Sequence, residues 1–255
     1  MSRMPEPRPE LVHYAVDGAV ATITLDSPHN RNALSQQLVS ELLERLEEAD
    51  GDDAVLVVRL QSADRVFCSG ADLSEATSVG MEEGGRRMVA VQRAIIALGK
   101  PVVTRLTGPV RAGGIGVVAS SDIVIATENA NFALTEVKLG LAAAIISIPV
   151  FHRMGPRAAS LVTLTGEVFG GAEAAAYGLV TTVVSPDGVD GEMDRVCAAL
   201  ATGAPQGLRE SKRILNRQLL AQLDADGEEL AAFSAHLFAS DAARDAMTAF
   251  LSRKK

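Results

Sequence analysis

The stretch Arg111–Asp122, RAGGIGVVASSD, places two adjacent glycines and a third, Gly116, where a small apolar helix begins. Glycine in such a place costs about 1 kcal/mol relative to alanine. Something must compensate: a close approach of backbone or ligand, or peptide N–H groups left pointing outward. PVVTRL upstream and DIVIAT downstream both read as strands. Gly114, Gly116 and Ala119 fit the dinucleotide spacing G-x-G-x-x-A. The second strand, however, starts at Asp122, six residues after Gly116. That predicts too short a helix for a crossover of about ten residues or more, and the dinucleotide reading is set aside.

Working outward, LVHYAV, the turn Asp17–Gly18 and AVATITL predict a hairpin. SPHNRN is a polar loop, and ALSQQLVSELLERLEEAD carries leucines at helical spacing. AVLVVRLQ is a β-branched run typical of a buried strand. DRVFCSGADLSEA is a strand end with a glycine turn, and GGRRMVAVQRAIIALGK is a helix stopped by Gly99 and Pro101. NANFALTEVKLG predicts a strand and loop. Beyond Pro149 the pattern is almost wholly helical, with LRESKRILNRQLLAQL and EELAAFSAHLFA as separate segments. No fixed-period repeat appears.

With 255 residues, 47% hydrophobic and 22% charged, the chain can bury a sizeable core. A net charge of −8 argues against a nucleic-acid surface. No apolar run is long enough to span a bilayer, and the polar, proline-containing start is unlike a signal peptide. A cytoplasmic protein is expected. Cys68 and Cys197 lie far apart and the four histidines are scattered, so neither a disulfide framework nor a metal site is expected.

SGADL and AGGIG each put glycine after a strand and before a helical stretch. Two facing turns of this kind can hold one oxygen between two N–H groups, as in an oxyanion hole; ordinary left-handed turns give the same pattern. At these residues the chain resembles the crotonase, or enoyl-CoA hydratase/isomerase, superfamily. The likeness runs from PHNRNALS through FCSGADL and GPVRAGGIGVVASSDIVIATENANFALTEVKLGL to LTGEVFGGAEAAAYGLVTTVV and FASDAARDAMTAFLSRKK. It covers nearly the whole chain.

The resemblance implies an α/β fold, a crotonase-like spiral of ββα units with a helical C-terminal trimerisation region. Residues 1–195 would form the core that binds and transforms the thioester, and residues 196–255 the helical region. It implies an acyl-CoA thioester substrate, no separate cofactor, and a homotrimer or dimer of trimers. The thioester oxygen would meet the N–H groups of Ala71 and Gly113. Arg31 and Ala33 are candidate contacts of the CoA nucleotide. Ser69, Gly70, Asp72 and Leu73 would line the acyl and pantetheine path, with Gly114 and Gly116 opposite. Arg253, Lys254 and Lys255 would either meet CoA phosphates or form an exposed basic tail.

Family hydratases commonly hold one water between two glutamates. The resemblance maps one onto Glu136; the position of the other is Gly116, expected to leave space for a bulkier or branched acyl group. The run LTEVKLGLAAAIIS is similar to members acting on glutaconyl-type thioesters. The expected activity is hydration of a 2-enoyl-CoA with Glu136 as base and acid. The alternatives are isomerisation of a 3-enoyl-CoA, decarboxylation of an acyl-CoA, or binding without turnover. Taken alone, without the resemblance, Glu136 reads as an exposed carboxylate paired with Lys138 or Arg111. Asp122, Ser120 and Ser121 read as structural.

Overall fold

The computed structural model describes residues 9–72, 74–75 and 80–252. Leu73, expected on the acyl and pantetheine path, and the basic residues 253–255, read as CoA-phosphate contacts or an exposed tail, lie outside them. The predicted hairpin forms as β1 (Val12–Asp17) and β2 (Val20–Leu25), turned at Gly18 with φ +54°. Ser35 then caps α1 (Gln36–Gly51) by accepting a hydrogen bond from Leu38 N. The leucine stripe of α1 buries Leu38, Leu42 and Leu46.

Three strands follow, each starting a turn of the spiral: β3 (Val57–Ser62), β4 (Val102–Leu106) and β6 (Ile123–Thr127). Together with β1, β2 and β9 (Thr182–Val184) they form a six-stranded sheet in the order β1-β2-β3-β4-β6-β9, parallel except for β1. After β3 the chain bridges at Cys68 to β5 (Pro109–Arg111). β5 pairs with β7 (Asn131–Ala133), and β7 with β8 (Phe169–Gly170), so a second, small sheet stands beside the first. Phe132 stacks on Phe169 across it, with ring centroids 5.5 Å apart. α2 (Met81–Ala97) and α3 (Gly113–Ser120) complete two of the turns.

One expectation about the central stretch needs correcting. β4 and β6 are parallel neighbours, so the segment between them is a crossover. β5 lengthens the connection, and eight residues of α3 suffice. The region after Pro149 is almost wholly helical, as expected, but two short strands are not read from the sequence. It contains α4 (Ser147–Arg153), α5 (Pro156–Thr165), α6 (Gly171–Ala176), α7 (Val189–Ala201), α8 (Pro205–Phe238) and α9 (Asp241–Ser252), but also β8 and β9. The two expected helical segments are one 34-residue helix, α8. Gly227, between them, lets α8 approach α2: a β-carbon there would meet Val89 Cγ1 at 2.8 Å.

α7 covers the face of the large sheet away from the main core, packing Val189, Met193 and Cys197 on Val57, Val103 and Ile125. The boundary drawn at 195/196 falls inside this helix. α8 is tied to the sheet by a buried polar cluster. Lys212 Nζ lies 2.8 Å from Asp122 Oδ2 and donates to the carbonyls of Ile95 and Lys100. Asp122 also accepts from Val102 N and Asn216 Nδ2, while Arg153 caps the carbonyl end of α3 at Ala119 and Ser121. Burial holds the Lys212 ammonium below its usual pKa, opposed by the Asp122 charge. Lys212→Met is expected to lower stability by about 3 kcal/mol, because it strands a buried carboxylate. Denaturant unfolding at neutral pH measures this as a fall in midpoint.

Candidate active site

The loop after β3 and the loop before α3 lie side by side. Arg111 N donates to Cys68 O, and Phe67 N to Pro109 O. Their glycines are needed because there is no room for side chains between them. A β-carbon on Gly114 would meet Cys68 Cβ at 2.7 Å, and one on Gly70 (φ +96°) would meet Ala112 Cβ at 2.9 Å. Ala112 itself has φ +45°, a conformation that costs a non-glycine residue about 1–3 kcal/mol. The strained turn releases the chain into α3 with the Gly113 N–H at the helix start.

The two loops open on a cavity of about 620 Å³. Ala71 and Gly113 both line it, and neither N–H donates to another described residue. Gly113 has no intrahelical acceptor because it is the first residue of α3. Gly70 and Gly114 stand behind the wall. Cys68, just beneath, is fully buried, and burial pushes its thiol up to about 12. It is no nucleophile at neutral pH.

Glu136 reaches the same cavity from the one-turn 3-10 helix Glu136–Leu139 that follows β7. Phe132, Ala133 and Leu134 before it are buried. Its Oε2 is shielded from solvent and has no hydrogen-bond partner. Burial raises its pKa above the usual 4.5, and a backbone N–H bond only partly offsets this. The surface ion pair considered for it does not form among the described residues. Arg111 instead donates to Val110 O, Asn131 O and Asn131 Oδ1.

Other predicted residues distribute unevenly. Arg31, Ser69 and Asp72 line the cavity. Ser69 Oγ donates to Asn30 O. Burial alone would raise the pKa of Asp72, but hydrogen bonds from Ser74 and Asn30 bring it below its usual value. Ala33 is buried and does not line the cavity. The neighbouring Asn32, not singled out from sequence, pins this loop. It is fully buried at φ +52°, accepts from Ser27 N, and donates to Ser62 Oγ and Val66 O. Two asparagines around an arginine in a polar loop were the available signal, since asparagine tolerates positive φ.

Gly116 overturns an expectation. It opens no space: a β-carbon there would lie 2.5 Å from Ile146 Cγ2 and 3.5 Å from the Gln92 side-chain amide carbon. Ile146 is 3% exposed and Gln92 fully buried, with Gln92 Nε2 donating to Ile145 O. Ser120 and Ser121 spend their hydroxyls on the carbonyls of Gly116 and Val117, as expected for structural residues.

The profile of the enoyl-CoA hydratase/isomerase family matches residues 15–255. The chain is 31% identical to the short-chain-enoyl-CoA hydratase of Clostridium acetobutylicum, over 94% of each sequence. It is 26% identical to the peroxisomal Delta(3,5)-Delta(2,4)-dienoyl-CoA isomerase of Arabidopsis thaliana, over 96% of this chain and 95% of that one. A solved structure of an enoyl-CoA hydratase from Mycobacterium avium superposes with a TM-score of 0.90 at 42% identity, covering 96% of this chain and 98% of that one. Spiral core, paired glycine loops and near full-length matches agree: the chain belongs to the enoyl-CoA hydratase/isomerase family and has the crotonase fold.

Proposed function

We propose that the protein is a hydratase-like lyase that adds water to a 2-enoyl-CoA thioester. The observation that carries this is Glu136 Oε2, buried and unpartnered on a cavity that also exposes two free loop amides. The thioester oxygen accepts hydrogen bonds from the N–H groups of Ala71 and Gly113. Removing one such donor typically costs about 2.7–4 kcal/mol of barrier. Glu136 takes a proton from water as the oxygen adds to Cβ and the electron pair moves through Cα to the thioester oxygen. It then returns that proton to Cα, giving the 3-hydroxyacyl thioester. Arg31, Ser69, Asp72 and the glycines of the two loops shape the path of the CoA arm.

A second reading has a specific observation in its favour. Ile146 and Gln92 occupy the place where a second acid would stand. One carboxylate is enough to carry a proton from Cα to Cγ, so isomerisation of a 3-enoyl-CoA suits the same site. Incubation with crotonyl-CoA, 3-methylglutaconyl-CoA and a 3-enoyl-CoA separates the two. Loss of the conjugated absorption with either of the first two is expected, and conversion of the 3-enoyl thioester alone rejects the hydratase. Thioester binding with no turnover, unchanged by Glu136→Ala, identifies an inert binder.

We further propose a homotrimer or dimer of trimers, built on the face beside Glu136. Val137, Leu161, Leu164 and Val168 are exposed there, Leu164 to 72%, around α5 and the Glu136 turn. Such a cluster disfavours a lone chain in water. Sedimentation velocity is expected to give three or six chains per particle; a monomer rejects the assembly.

A further inference from the structure

One end of the cavity carries donors that the proton chemistry does not use. α8 presents Ser234 and, one turn further, Phe238 to the cavity. Ser234 is 7% exposed, and its hydroxyl has no partner among the described residues. A buried helical serine ordinarily donates to the carbonyl four residues back, as Ser120 does to Gly116 O at 2.8 Å. Ser234 does not.

What lies opposite Ser234 follows from the packing of α8 on α2. Lys212 donates to Ile95 O, Gly227 packs on Val89, and Gly85 lies against Ala231, so the two helices run antiparallel. Continuing the series brings Ser234 to the first turn of α2, and Gly80, Met81 and Gly84 line the same cavity. The N–H groups of Met81, Glu82 and Glu83 have no intrahelical acceptor. Gly84 N is the first to reach back, to Gly80 O at 3.1 Å. Gly80 at the cap offers no side-chain acceptor, and this is the positive end of a 17-residue helix. The carboxylates of that turn are held elsewhere, Glu82 by Arg86 and Glu83 by Arg87.

The N–H groups of the helix start can only donate and the Ser234 hydroxyl is able to donate, so an acceptor oxygen fits between them. We infer that this end of the cavity is a subsite for an acceptor oxygen, a carboxylate or a ketone, at the far end of the acyl chain. Ser234 is its specificity-determining residue. The inference rests on the acyl-CoA reading above. Met88 Cε lies 3.0 Å from the β-carbon position of Gly113, where the thioester would sit. Gly84 and Met81 precede Met88 by four and seven residues, roughly 6 and 10 Å along the helix axis. A four-carbon acyl group stops short of that turn; a medium-length chain reaches it.

Saturated thioesters test this without depending on turnover. Calorimetric titration of the protein with octanoyl-CoA, octanedioyl-CoA and 7-oxooctanoyl-CoA is expected to show about tenfold tighter binding of an oxygenated chain, the scale of one hydrogen bond to a charged group. In Ser234→Ala the affinity ratio of oxygenated to plain chain is expected to fall severalfold, the helix N–H groups retaining the remainder. Preference for octanedioyl-CoA alone assigns the subsite to a carboxylate, and preference for both to any acceptor oxygen. No preference, or a preference undiminished in Ser234→Ala, overturns the proposal. If the preference holds while no 2-enoyl thioester is hydrated, the hydratase reading fails and the subsite stands. If no thioester binds, both fall.

Discussion

Glu136→Gln is expected to lower kcat/KM by about 10³-fold or more and, at neutral pH, to make the protein more stable. A positioned acid or base typically contributes about 10²–10⁴-fold, and in the proposed mechanism one carboxylate performs both proton transfers. The stability change has the opposite sign for a reason of linkage. Burial raises the folded pKa of Glu136 above the usual 4.5. Such a group imposes no penalty below the unfolded value, and a growing one as pH rises toward and through the folded value. Glutamine keeps the shape and removes the penalty. Melting temperatures of wild type and variant should therefore differ at pH 7 and converge at pH 4. The same shift places the acidic limb of the wild-type pH–rate profile above 4.5. A glutamine variant that turns over normally, or that is less stable at pH 7 than at pH 4 relative to wild type, removes Glu136 from the role.

How much of this was legible in the sequence depended on the range of the interactions concerned. The β1–β2 hairpin was legible because Asp17–Gly18 specifies its turn locally, with Gly18 at φ +54°. The glycine loops were legible because Gly70 and Gly114 sit where no β-carbon fits, and glycine in a costly position announces a close approach. β8 and β9, two and three residues long, carry no alternation from which a strand could be read. The continuity of α8 was hidden because Asp224–Gly227 resembles a turn. In the fold, Asp224 pairs with Arg93 and Gly227 packs on Val89, so tertiary contact outweighs the local breaker. Ser234 was invisible for the same reason: only the antiparallel run of α8 on α2 brings it to the cavity. Gly116 was misjudged because the residues that fill its space, Gln92 and Ile146, come from a preceding helix and a following loop.

That packing makes the missing second acid an experimentally accessible feature. Gly116→Glu alone is expected to cost about 4 kcal/mol or more. Even its β-carbon would lie 2.5 Å from Ile146 Cγ2, and overpacking of this kind costs about 1–3 kcal/mol before a buried, unpaired carboxylate adds its own penalty. Ile146→Gly removes the obstacle, and in the double variant the glutamate side chain occupies the volume that isoleucine leaves, limiting the cavity cost of about 2–5 kcal/mol that the single truncation would carry. Two carboxylates then divide the work: one activates water while the other protonates Cα. Hydration of crotonyl-CoA by the double variant is expected to exceed that of wild type by about tenfold or more, within the range for one added acid or base. Any activity toward a 3-enoyl thioester should not rise with it, because shuttling a proton between Cα and Cγ uses Glu136 alone. Stopped-flow decay of the conjugated absorption, with circular dichroism to verify the fold, reads both quantities. A folded double variant with unchanged hydration would mean that the proton chemistry is not limited by the absent acid, and that Ile146 and Gln92 close this position for packing alone.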